Sequence, residues 1–230
     1  KNWKQIKAEL FGDLDVVEEI FNIFPECTSV VDIGCGTGDL LFQLRKKVKK
    51  IIGVDNSPKM LEQAAYYLNQ GNTDKAVSGE GFPKEGSPGE YPPKELLPGE
   101  KTPGEMTTDS SDRGIHFIDL RLGTIEHLPL GDREVESAVI NMVLHHTMIP
   151  LHIFQEANRV LLPGGYLVVV DFKKHQQEIL REKYGDRHLG FSTRELKTFF
   201  QKSGFLVQEQ KNYALTGGLE ILLFIATKVV

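Results

Sequence analysis

An apolar strand that ends in an acid and then runs through three glycines into a helix leaves a chain few architectures to choose from. Residues 30–40 read VVDIGCGTGDL, with Asp32 at the strand end and Gly34, Gly36 and Gly38 in the turn. Glycine suits that turn because a side chain would block both the tight backbone path and the close approach of a ligand. A second apolar run, IIGVD at 51–55, follows a helical pattern over 38–48. The next helix spans 57–69, with Ser57 as its N-cap and Pro58 in its first turn. The order β-α-β-α is the opening of a parallel sheet with crossover helices.

The same stretch narrows the ligand. Free N–H groups at a helix start hold a negatively charged group. Asp55 ends the second strand 21 residues after Gly34, the usual distance for a carboxylate that accepts from ribose hydroxyls. A nicotinamide dinucleotide uses related geometry, but its loop reads G-x-G-x-x-G and faces a diphosphate; here the pattern is D-x-G-x-G-x-G, and Asp39 is an acid at the place a diphosphate would occupy. A ligand with one carboxylate, one ammonium group and a ribose fits better, the amides taking the carboxylate and Asp32 the ammonium. S-adenosylmethionine has those groups.

Further along, apolar patterns predict strands at 115–122, 136–142 and 166–172, helices at 150–161, 175–183 and 193–202, and two closing strands at 205–213 and 219–228. The last two are joined by YALTGG, short enough for a hairpin, so the final strand runs antiparallel. Two helical runs, 2–10 and 14–24, lead in, the first holding the only tryptophan, Trp3, as a packing residue or a lid. The predicted fold is α/β: a Rossmann-like, seven-stranded, mostly parallel sheet with an antiparallel last strand and helices on both faces. All 230 residues form one domain.

Composition removes several classes of function. A net charge of -5 argues against broad nucleic-acid binding, and the basic run RKKVKK at 45–50 reads as the solvated end of a helix. Two cysteines, Cys27 and Cys35, are too few for a disulfide scaffold and point to a reducing, cytoplasmic setting. No apolar run approaches the ~20 residues that cross a bilayer, and no membrane partner is expected.

With these motifs in place, the chain resembles the class I S-adenosylmethionine-dependent methyltransferases. LRLGTIEHLPLGDREVESAVINMVL at 120–144 looks like their third and fourth strand regions, and RVLLPGGYLVVVDF at 159–172 like their P-G-G turn and fifth strand. The nearest flavour is that of small-molecule enzymes of the quinone-modifying type. It is also that of domains following arsenic-repressor-type winged helices, whose segments DFKKHQQEILREKYGDRHLGFSTRELKTFFQKSGF (171–205) and Trp3 to Lys7 resemble. An upstream DNA-binding domain would accompany that second likeness. The resemblance implies a cofactor site of Asp32, Gly34, Cys35, Gly36, Thr37, Gly38, Asp55, Asn56, Met60, Gly123, Thr124, Ile125, Asn141 and Met142. One departure is Gly123-Thr124 where relatives commonly carry Gly-Asp, leaving a weaker acceptor for the adenine amine.

Methyl transfer from a sulfonium needs alignment and at times a base, and no obligatory nucleophile. The acceptor site falls outside the carboxyl ends of the strands, where His145, His146, Asp171, His175, Tyr184 and His188 are the expected contacts and His146 the candidate proton acceptor. Neither an N/D-P-P-Y turn nor a Pro-Cys pair follows the fourth strand, which lowers nucleic-acid and translation-factor substrates. One spare cysteine makes arsenite a poor acceptor. No metal site is expected, because His145 and His146 are neighbours that on a helix or turn do not face the same point and so cannot be a simple chelating pair. The expected partner is a small molecule; a ligand-sensing regulatory module and a macromolecular methyltransferase are the alternatives.

Between the second helix of the sheet and the third strand lies P-[KG]-E-x-x, repeated five times from Pro83 to Thr107. Six of the 11 prolines fall in 72–114, so the segment reads as an insertion on the cofactor side's flank that cannot pack a core of its own.

Overall fold

The computed structural model describes residues 11–12, 14–70 and 117–230. The expectations for Trp3, the first leading helix and the five-residue repeat lie outside these residues. After α1 (Val16–Ile23), the chain alternates β1 (Ser29–Ile33), α2 (Asp39–Leu44), β2 (Lys50–Asp55), α3 (Pro58–Gln70), β3 (Phe117–Leu122) and β4 (Val135–Asn141). A 3-10 turn (Leu144–His146) leads to α4 (Pro150–Val160) and β5 (Leu161–Phe172), followed by α5 (Glu178–Tyr184), α6 (Thr193–Lys202), β6 (Phe205–Ala214) and β7 (Glu220–Lys228).

The seven strands form one sheet in the order β3-β2-β1-β4-β5-β7-β6. β1 to β5 are mutually parallel, and β7 runs antiparallel to both β5 and β6, as the hairpin reading predicts. Strand order reverses between β1 and β4, the switch point at which open α/β sheets bind ligands.

Alternate residues of the buried strands feed two apolar layers. Val31, Ile33, Ile140 and Val169 pack with Phe154 of α4 and Phe200 of α6. Val30, Val139, Val168 and Val170 pack with Ile20 of α1 and Leu41 of α2 on the other side. Strands sandwiched this way read as near-continuous apolar runs, which is why 30–33 and 51–54 carry no polar alternation apart from Asp32. Caps set the helix starts: Asp15 accepts from Val17 and Glu18 N–H ahead of α1, and Ser192 with Glu195 forms a capping box for α6.

Three boundaries depart from expectation. α2 stops at Leu44 because Lys46 and Lys47 N–H turn back onto the carbonyls of Gln43 and Leu44. β5 begins at Leu161, earlier than predicted, because a register shift opposite Val135 and Ser137 lets the P-G-G segment join the sheet. Residues 175–177 precede α5 as a turn, with Gln177 N–H donating to His175 Nδ1.

α3 returns from the carboxyl end of the sheet, and the chain re-enters at Phe117, paired with Lys50 at the first residue of β2. Gln70 and Phe117, the described residues on either side of 71–116, therefore stand at the amino end of the strands. No helix among the described residues is long and apolar enough to cross a membrane.

Candidate active site

Gly34 and Cys35 N–H both donate to the Val54 carbonyl, at 2.7 and 2.9 Å, binding the loop after β1 to the end of β2. Gly34 has φ +80°, and a Cβ there would stand 2.6 Å from a Val143 methyl, so sterics and backbone conformation both require glycine. Gly38, also left-handed, is the residue before α2, and Gly36 and half-buried Thr37 complete the turn.

Asp55 faces this turn. Its Oδ2 accepts from Gly36 N–H and its Oδ1 from Ser57 N–H, each at 2.9 Å. The carboxylate is thus fixed in orientation, while each oxygen keeps a further lone pair. Asn56 and Met60 are exposed just beyond it. Asp32 is 2% exposed, and its Oδ1 has no hydrogen-bond partner among the described residues. Burial, with the negative charges of Asp55 and Asp39 added, pushes its carboxyl up to about 7. Burial also drives the Cys35 thiol upward, so this cysteine lines the loop as an inert group.

The far side of the same rim comes from β3 and β4. Gly123 N–H donates to the Asp55 carbonyl, and a Cβ on it would meet Pro129 at 2.6 Å. Thr124 is exposed and bridges to His127, and Ile125 packs against the apolar layer. Asn141 ends β4 with its Oδ1 buried and unpartnered among the described residues. Met142 adopts φ +56°, an uncommon conformation for a side-chain-bearing residue, held by its N–H on the Val170 carbonyl at 2.8 Å. Two buried, unanswered carbonyl-type oxygens, on Asp32 and Asn141, thus end adjacent strands.

On the acceptor side the structure revises the sequence reading. Asp171, expected as a substrate contact, is fully buried: Oδ1 accepts from Phe172 N–H at 2.7 Å and lies 2.8 Å from His145 Nδ1. It orients His145 and does not reach an acceptor. His145 is itself 3% exposed; burial alone would lower its pKa, but the carboxylates of Asp171 and Asp186 outweigh burial and raise it. His146 is half-exposed, and burial together with charge on His145 lowers it to about 4. The two rings also converge, with centroids 4.1 Å apart, because residues 144–146 form a 3-10 turn. Adjacency is therefore no bar to their facing one point.

Asp186 is the residue that sequence reasoning missed. It lies in the loop after α5, buried, with Oδ1 3.6 Å from His146 Nδ1 and 4.0 Å from His145 Nε2. The only sequence signal was an acid directly after Gly185, which ends α5 in the left-handed conformation. Arg187 and His188 N–H both donate to the His145 carbonyl and pin this loop over the turn.

His175 and His188 line a cleft of about 560 Å³ together with Lys174, Arg181, Arg187 and Phe191. Each of these histidines has a buried Nε2 without a partner among the described residues. Tyr184 is not among the cleft's lining residues and packs against the apolar layer instead.

Comparison with known proteins agrees with this geometry. The methyltransferase domain family matches residues 3–210. A protein in a Streptomyces fradiae transposon is 29% identical over 144 residues, covering 61% of this chain and 29% of that protein. A probable S-adenosylmethionine-dependent methyltransferase of Saccharomyces cerevisiae is 40% identical over 57 residues, 25% of this chain and 20% of its own length. The chain thus spans less than a third of either curated relative. Among solved structures, an S-adenosylmethionine-dependent methyltransferase from Methanosarcina mazei has a TM-score of 0.64 at 19% identity, over 94% of this chain and all of that one, a likeness of fold. With a glycine turn tied to β2, an acid at the end of each of the first two strands and a family match that reaches into β6, the chain belongs to the methyltransferase domain family.

Proposed function

We propose that this chain is an S-adenosylmethionine-dependent methyltransferase that transfers a methyl group to a small-molecule acceptor by in-line displacement. The observation that carries the reading is Asp32: a carboxylate 2% exposed, with an unanswered Oδ1, at the base of a glycine turn that also faces Asp55. A buried anion without a partner is costly, and a ligand ammonium group is the partner that fits it.

The loop of Gly34, Cys35, Gly36, Thr37 and Gly38 would give backbone room and N–H donors for the ligand carboxylate. Asp55, held by Gly36 and Ser57 N–H, would accept from ribose hydroxyls, with Asn56 and Met60 beside it. Gly123, Thr124 and Ile125 flank the adenine side, and Asn141 and Met142 the sulfur side. When bound, the cofactor supplies a methyl group on a sulfonium, already activated for displacement. What remains for the protein is alignment of the acceptor. His146 is neutral near pH 7 and can accept a hydrogen bond from an acceptor hydroxyl or amine, while His145, fixed by Asp171, supports it from below.

The cleft joins the His145 turn through Arg187 and His188, whose N–H groups bind the His145 carbonyl, and its volume suits a small acceptor, since drug-sized ligands occupy pockets of roughly 300–1,000 Å³. His175, His188 and Arg187 on its wall favour an acceptor that carries an acceptor oxygen or an anionic group. A cytoplasmic setting belongs to the same reading, supported by two free cysteines.

Isothermal titration with S-adenosylmethionine and with its demethylated product tests the proposal. Binding of both is expected, with loss on Asp55→Ala or Asp55→Lys; heat from neither ligand would end the reading.

A further inference from the structure

Three side chains that do not belong to the cofactor loop converge at the carboxyl ends of β4 and β5. His145, His146 and Asp186 each present one ligand atom within 4.8 Å of the others, and Asp186 Oδ1 stands 4.0 Å from His145 Nε2 and 3.6 Å from His146 Nδ1. We propose that they form a binding site for a divalent transition-metal ion, with Asp171 as the carboxylate that orients His145.

Four observations point to an ion. First, the donor set is two imidazole nitrogens and one carboxylate oxygen, the borderline type that suits zinc, cobalt and their neighbours. Second, Asp171 Oδ1 stands 2.8 Å from His145 Nδ1, which places the hydrogen on Nδ1 and directs the Nε2 lone pair toward Asp186 and His146. This carboxylate–histidine arrangement is the one that fixes metal-ligating imidazoles.

Third, Asp186 is 3% exposed and its carboxylate accepts no hydrogen bond among the described residues; its nearest partners are the two ring nitrogens, at 3.6 and 4.0 Å. Those separations are too long for direct hydrogen bonds and close to the ~3.4 Å that bonds of about 2.0–2.1 Å impose across a tetrahedral angle. Fourth, the cluster is held from outside: Arg187 and His188 N–H lock the Asp186 loop onto the His145 carbonyl, and Thr147 Oγ1 closes the 3-10 turn on the Leu144 carbonyl at 2.9 Å.

Three protein donors leave a fourth position, open to solvent on the His146 side; with the ion in place the His146 lone pair is taken, and water or a donor atom of the acceptor at that position replaces His146 as the acceptor's contact. The competing account is a proton, in place of an ion, shared between His145 and the two carboxylates.

Tag-free full-length chain, freed of metal with a chelator, is titrated with cobalt(II) chloride and followed by its visible absorption. The expected result is a low-coordinate cobalt spectrum that saturates near one equivalent. His146→Gln and Asp186→Asn each weaken cobalt binding by more than the ~10–100-fold typical of lost supporting residues, Asp171→Asn by about that amount, and His152→Gln, an exposed histidine on α4, not at all. Absence of a plateau, or a plateau unchanged in His146→Gln, would overturn the proposal. Since His146 is half-exposed, that variant decides the matter even where Asp186→Asn does not fold. Titration with the demethylated cofactor in parallel separates the two proposals: a chain that binds it but not cobalt refutes the metal site alone, and the reverse refutes the cofactor reading alone.

Discussion

Replacing Asp32 by Asn removes a charge from a place where the fold holds it at a cost and the cofactor would use it. The unfolded chain carries Asp32 near its ordinary value of 3.8, and the folded chain near 7. Between roughly pH 4 and pH 7 the native state therefore keeps a proton that the unfolded state has released, so this group's contribution to stability falls as pH rises and its full cost is present above pH 7. The interval of about three pH units, at about 1.4 kcal/mol each, sets that cost at up to roughly 4 kcal/mol. An Asn amide in the same space leaves N–H groups unmet at about 1–3 kcal/mol, so the variant gains on the order of 1–3 kcal/mol at pH 8. For a chain of this size that raises Tm by roughly 3–10 °C at pH 8, and by almost nothing at pH 5, as scanning calorimetry would read. The same substitution removes the partner of the ligand ammonium, so titration calorimetry should show cofactor binding weakened about tenfold to a hundredfold. In the parent, affinity should fall as pH drops below 7, because binding must first expel the Asp32 proton. A Tm advantage equal at the two pH values, or tighter cofactor binding by the variant, would refute the account.

Two further perturbations probe the frame around the site. Gly34→Ala forces a left-handed alanine against Val143 at 2.6 Å and should cost about 1–3 kcal/mol in urea unfolding, together with cofactor binding; an unchanged midpoint would show that the turn has slack. Glu134 is partly buried beside Arg121; burial alone would raise its carboxyl, but hydrogen bonds from Arg121 and Gly131 N–H, with the Arg121 charge, lower it from 4.5 to about 2. Its stabilisation is complete above pH 4.5 and lost as pH falls toward 2, so Glu134→Gln should lower stability by about 1–3 kcal/mol at pH 7 and by nearly nothing at pH 2; an equal loss at both would exclude the ion pair as its source.

The frame was readable where local chemistry and tertiary structure agree. Glycines at 34, 36 and 38, the Ser57–Pro58 cap and unbroken apolar runs each specify their element within a few residues, and the YALTGG connection specified the antiparallel β7. The acceptor side was less readable, because its order is made by contacts across the chain. Nothing next to His145 and His146 announces that a 3-10 turn will bring the rings together. Nothing near Asp186 says that a loop 40 residues on will fold over them, since the bonds that place it run from Arg187 and His188 to the His145 carbonyl. Asp171 was noticed but given the wrong task, as burial, which one sequence does not display, decides whether a carboxylate meets a ligand or a neighbour. The start of β5 was missed for a similar reason: proline and two glycines look like a turn, and only the irregular pairing with β4 admits them to the sheet.

The positions of Gln70 and Phe117 have a use in engineering. Both residues stand at the amino end of the strands, with Phe117 beside Lys50, while the glycine turn, Asp55 and the histidine pair stand at the opposite end. A six-residue strand separates the two ends by about 20 Å. A fluorescent reporter or an affinity handle attached beside Gln70 or Phe117 would therefore start from the end of the strands opposite the reactive rim.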